Sequence, residues 1–154
     1  ALELAIANAF KVAPGDQAAS ESIARDTDDL SEEVRRELRK LPDWDMDDVK
    51  RRFMGKMEIV STLVDLYLKV APELLGRVDE ALEHENYRDL RNVAHEIKGM
   101  AKNLGVRKIA YLSYEVEMAA LDRRLQDIVF LVAKLKLSSG TVQKILEDHE
   151  AAVD

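Results

Sequence analysis

His95 is the residue around which a reaction could be built. It stands in the stretch NYRDLRNVAHEIKGMAKNLG, Asn86 to Gly105, together with Arg88, Arg91, Lys98, Gly99 and Lys102. Wound into a helix at about 100° per residue, these positions fall within about 60° of the direction of His95. The neutral imidazole is the nucleophilic form, and neighbouring like charge disfavours the protonated one. The same cations would receive an anion of two or more charges, in a chain whose formal net charge is −7. Gly99 stands one turn after the histidine, where glycine costs about 1 kcal/mol relative to alanine. Its use there is close approach of a second surface beside the imidazole. The plain alternative is a surface histidine on a solvated basic face.

The element that must hold these side chains is legible. Asn86 is a good helix N-cap, Asp89 suits the positive end of the helix, and Gly105 stands where a left-handed residue closes it. Tyr87, Leu90, Ala94, Ile97, Ala101 and Leu104 recur at steps of three and four, so one face is expected to be buried and His95 exposed.

Other chemistries lack their residues. There is no cysteine, hence no disulfide framework, thiolate or cysteine-rich zinc site. A carboxylate-bridged metal bundle needs Glu-x-x-His, but Ala81, Asn92 and Leu146 stand three before His84, His95 and His149. With no His-Glu-x-x-His, nucleophile elbow, glycine-rich phosphate loop or Walker lysine, the expectations are no metal, no cofactor and no ATP site. Any phosphoryl group must then come from another protein. The acidic balance argues against nucleic acid, and no run is long enough to span a membrane. No signal peptide is visible, so a cytoplasmic location is expected. His84 reads as a solvated residue at a helix end, and His149 as a surface residue near a fraying terminus.

The length of 154 residues suits one domain. Residues 1–13 read as a short helix with Leu2, Ile6 and Phe10 on one face, ended by Pro14-Gly15, and residues 16–29 as an acidic linker. EEVRRELRKL, capped by Ser31 or Asp29, reads as a second short helix before Pro42. Residues 1–44 together form an N-terminal extension, a tether or a segment folded back on the rest. DMDDVKRRFMG follows as a cap helix with Val49 and Phe53 inward and Gly55 at its end. Lys56 to Leu82 is apolar-periodic through Val60, Leu63, Tyr67, Val70, Leu74, Val78 and Ala81. Pro72 inside it predicts a kink or two helices end to end. Ile109, Leu112 and Val116 mark the next helix, ending near Leu121 to Arg124. Ile128, Val132, Leu135, Ser139, Val142 and Leu146 mark the last, Asp127 to about His149, with Gly140 as a weak point. The expected fold is all-α, an antiparallel up-down four-helix bundle over 45–154 with a short cap helix and the N-terminal extension.

HEIKGMAKNLG, read as H-x-x-K-G-x5-G, resembles the signature of histidine-containing phosphotransfer (HPt) domains of two-component phosphorelays. The flanks are similar too, through GVRKIAYLSYEVE, with Glu117 at the family's acidic position. The resemblance covers roughly Asp45 to Asp148. It implies that His95, through Nε2, accepts a phosphoryl group from an aspartyl phosphate on a response-regulator receiver domain and passes it on. Lys98 would neutralise charge on the phosphoryl oxygens, since the protein's share of phosphoryl transfer is positioning and electrostatics. Gly99 would leave room for the partner, and Arg88, Arg91 and Lys102 would support phosphate or pair with the partner's acidic groups. Magnesium would belong to the receiver domain. A carrier of this kind is no enzyme with its own ATP site, though it fits as a piece of a hybrid histidine kinase, and a start at Ala1 suits such an excised piece. A monomer is expected. The competing reading is a non-phosphorylated helical docking module that binds a receiver domain or kinase; the set of His95, Lys98 and Gly99 argues against it.

Overall fold

The structure, a computed structural model, describes residues 30–153, and within them every regular element is a helix. The expected helix over residues 1–13 and the linker over 16–29 lie outside the described residues. The elements are α1 (Glu32–Lys40), α2 (Met46–Arg52), α3 (Met57–Glu83), α4 (Tyr87–Leu104), α5 (Arg107–Leu121) and α6 (Leu125–Val153). The last four form the bundle: α4 packs on α3 and α5, α5 on α6, and α6 back on α3. Each neighbour follows the last through a short turn, which makes the sequence antiparallel.

Those turns share one device. Met54, Glu85, Gly105 and Arg123 have φ of +55°, +49°, +77° and +54°. The N–H after each reaches back five residues, as in Asn86 to the Ala81 carbonyl at 2.8 Å and Arg124 to Ala119 at 2.9 Å. This is the Schellman closure, which satisfies carbonyls left open at a helix end. Only at Gly105 does the fold also demand glycine for space. A Cβ there would stand 2.7 Å from Val49 Cγ2 and 3.0 Å from the Asp45 carbonyl oxygen.

The core runs along the bundle axis. Val60, Val64, Tyr67, Leu74 and Val78 of α3 meet Leu90, Ala94, Ile97 and Ala101 of α4, with Leu112 and Val116 of α5 and Ile128, Val132 and Leu135 of α6 also buried. Leu63 and Val70, expected on the inner face of α3, are only half-buried, and Val64 takes the central place. α3 is one continuous helix of 27 residues through Pro72, so the expectation of two helices end to end is corrected. Buried side chains on both sides of the proline hold the helix together across the missing hydrogen bond. α6 likewise runs unbroken through Gly140 and continues past His149 to Val153.

The part of the N-terminal extension that is described folds back on the bundle. Ser31 caps α1 by accepting from the Val34 N–H at 3.2 Å, and Leu30, Val34 and Leu38 are buried. The cavities beside α1 are lined from the other side by Phe130, Leu131, Lys134 and Ser138, so α1 lies along α6 and the flank of α5. This explains why α6 buries Leu131 and Ser138 in addition to its expected stripe. His149 is not the surface residue its position suggested. It is half-buried, its ring meets Trp44 edge-on at 5.0 Å between centroids, and its Nε2 is shut from solvent. His84 is exposed at the end of α3, as expected.

Candidate functional site

α4 is fixed at both ends before any reactive group is considered. The Asn86 side chain accepts from the Asp89 N–H at 3.1 Å. At the other end, the segment leading into and through α2 takes the carbonyls that the helix leaves open. Arg52 donates to the Lys102 and Asn103 carbonyls at 3.1 and 2.9 Å, and the Trp44 indole N–H donates to Leu104 at 2.8 Å. The Asp45 N–H donates to the Gly105 carbonyl at 2.8 Å. Ala94, Ile97, Ala101 and Leu104 are buried against the neighbouring helices. A helix pinned in this way presents its outer face rigidly, which a positioned nucleophile requires.

His95 stands in the middle of that face with 67 % of its side chain exposed. Its Nδ1 lies 3.0 Å from Glu117 Oε1 on α5, and Lys98 Nζ lies 2.8 Å from Glu117 Oε2. Burial acts to raise the Glu117 pKa, but Lys98 and then His95 act the other way and win, holding the carboxyl below its ordinary range. Glu117 is therefore ionised at neutral pH and can only accept a hydrogen bond. The proton between it and the ring must sit on Nδ1, so in the neutral ring the lone pair lies on Nε2. Among the described residues Nε2 makes no hydrogen bond.

The surroundings differ from a purely cationic stripe. Lys98 is largely enclosed, with 16 % of its side chain exposed, between Glu117 and the face of Tyr114, 5.5 Å from that ring's centre. Glu96 is tied to Arg77 of α3 at 2.6 Å. Arg88, Arg91 and Lys102 are exposed on the same side of α4 as His95, and none forms an ion pair among the described residues. The like-charge surroundings expected for the imidazole are thus corrected by a carboxylate at its centre. A Cβ built on Gly99 would meet nothing within 4 Å, so nothing within the described protein requires glycine there.

A family model of the Hpt domain matches residues 62–152, well over half of the chain. The chain belongs to the Hpt domain family. No curated protein and no solved structure matched it. The matched span takes in most of α3 and all of α4 and α5, hence His95, Lys98, Gly99 and Glu117, and leaves α1 and α2 outside. Hpt domains are phosphotransfer modules of two-component signalling, phosphoryl carriers that interact with receiver domains. Among the described residues of this Hpt domain no cluster of three or more His, Asp or Glu could hold a metal ion, and no helix is long and apolar enough to cross a membrane.

Two residues of the site were not singled out from spacing alone. Glu117 lies 22 positions from His95 on another helix, so only its place in the family pattern marked it. Tyr114, 44 % exposed and one turn before Glu117 on α5, gave no signal beyond being a tyrosine in an amphipathic helix.

Proposed function

We propose that His95 is the phosphoacceptor of a phosphorelay carrier, taking a phosphoryl group from the aspartyl phosphate of one receiver domain and delivering it to another. The observation that carries this reading is the Glu117 contact, because it places the proton on Nδ1 and the lone pair on the other nitrogen of an exposed ring. In the forward step Nε2 attacks phosphorus in line, the P–N bond forms and the bond from phosphorus to the aspartyl oxygen breaks. The electron pair leaves with the partner's carboxylate. The ring keeps its Nδ1 proton and becomes cationic, and Glu117 stabilises that charge as it appears. Arg91, one turn before His95, and Arg88 and Lys102, two turns to either side of it, meet the transferred phosphate or the partner's acidic groups. Lys98 serves first by pairing with Glu117, and its charge also lies near the incoming oxygens. Gly99 keeps the approach open.

The exposed, pinned imidazole favours this over a docking module that never carries phosphate, for which an oriented ring nitrogen has no use. The test is incubation with purified receiver domains carrying aspartyl phosphate, followed by analysis of the label on this chain. Acid-labile, base-stable label that disappears in His95→Gln is expected. Label that survives in His95→Gln, or no transfer from any receiver domain, contradicts the reading.

A further inference from the structure

Beside the phosphotransfer face lies a groove of about 420 Å³ whose far wall is α1. Glu37 and Leu41 from α1 and its end face Lys102 of α4 and Ala110, Tyr111 and Tyr114 of α5. The floor is apolar, and the wall is fixed, because Leu30, Val34 and Leu38 anchor α1 in the core. Most charges on the rim are already engaged within the chain: Asp48 with Arg52 at 3.1 Å, Arg107 with Asp45 at 3.1 Å and Glu37 with Lys40 at 3.6 Å. Lys102 has no ion pair among the described residues, so the charge that the rim offers a visitor is positive. The groove also runs into the reactive constellation: Tyr114 lines it, Lys98 sits over the Tyr114 ring, and Lys98 holds Glu117.

We propose that this groove is a specificity pocket for the receiver partner. It seats a bulky apolar side chain of the receiver domain, next to a carboxylate that pairs with Lys102, while the partner's phosphoaspartate meets His95. The inference rests on the phosphotransfer reading, and it assigns to α1, which lies outside the span matched by the family, a part of the recognition surface. The occupant follows from continuity and charge. The groove adjoins the face on which the donor must dock, its floor is apolar, and a domain presenting an aspartyl phosphate brings negative charge to a rim whose free group is a lysine. A receiver lacking the apolar side chain would dock less well on an identical histidine, which is how one carrier would discriminate among similar partners.

The experiment compares the full chain with Leu41→Glu and Leu41→Met, using a panel of purified aspartyl-phosphorylated receiver domains as donors. Phosphoramidate, a small donor that needs no docking, serves as the partner-free control. For the receivers that transfer best to the unaltered protein, Leu41→Glu should raise KM about tenfold or more with kcat nearly unchanged, and Leu41→Met should restore transfer. Labelling of His95 by phosphoramidate should stay the same in both variants. Independently, adding the best unphosphorylated receiver domain to the unaltered protein should shift the NMR signals of Leu41, Ala110, Tyr111 and Tyr114. Unchanged KM in Leu41→Glu, or receiver binding that leaves those four signals in place, overturns the pocket while leaving phosphotransfer intact. Failure of every receiver to label the unaltered protein overturns the phosphotransfer reading itself.

Discussion

At the scale of the residue, an ionised carboxylate can accept but not donate, so the 3.0 Å contact between Glu117 and Nδ1 decides where the ring proton lies. Glu117→Gln keeps an oxygen able to accept that proton but removes the charge that stabilises the phosphorylated ring. Transfer to His95 should slow by about tenfold, the lower end of what a hydrogen bond to a charged group contributes. The same substitution changes the pH dependence of stability. Because the folded-state pKa of Glu117 lies below the ordinary 4.5, its pairing contributes stability in full above that value and loses it as pH falls through the folded pKa. The difference in melting temperature between the native protein and Glu117→Gln should therefore be largest near neutrality and shrink below pH 4.5. Gly99 is tested by bulk. In Gly99→Leu the new side chain meets nothing inside the protein, and leucine is the better helix former by up to about 1 kcal/mol. Thermal stability should be kept or raised, while transfer from receiver domains falls by about tenfold or more in a rate assay. His95, Lys98 and Gly99 were legible because they share one helix, and spacing along a helix fixes direction. The Glu117 contact was not, since it depends on how α5 is set against α4.

At the scale of the element, α4 depends on what closes its C-terminal end. Gly105→Ala forces a side chain into a left-handed backbone and against Val49 and the Asp45 carbonyl. A left-handed residue with a Cβ costs about 1–2 kcal/mol before any clash. Chemical denaturation should show a loss of about 2 kcal/mol or more. The caps and faces of the long helices could be read from Asn86, Gly105 and the apolar repeats. Three of the turns could be located but not their geometry, because Met54, Glu85 and Arg123 adopt left-handed backbone without being glycine. Of the two outcomes expected at Pro72, a break into two helices did not occur. Local propensity was overridden by the buried residues on either side of it. His149 was misread for a related reason: its cover is Trp44, more than a hundred residues away along the chain.

At the scale of the whole molecule, residues 30–44 are part of the folded unit and not only a tether. Leu30, Val34 and Leu38 are buried and Trp44 binds the end of α4. Burying one such apolar side chain contributes about 1.5–3 kcal/mol, offset by the entropy of ordering the segment. Removal of residues 1–44 should lower the unfolding free energy by an amount on the order of 3 kcal/mol, read from the denaturant midpoint. The four-helix plan was legible because its periodic stretches are long and separated by short breaks. The docking of α1 along α6 was not, because an amphipathic helix of 9 residues states that it has an apolar face but not where that face goes.

Phosphotransfer by this domain turns on a single atom, His95 Nε2. Its most direct measurement is long-range ¹H–¹⁵N NMR, with ³¹P correlation, on ¹⁵N-labelled protein phosphorylated by a receiver domain. One phosphohistidine is expected, His95, bonded to phosphorus through Nε2 and carrying its proton on Nδ1 toward Glu117. Phosphorus on Nδ1 of His95, or on His84 or His149, would contradict it.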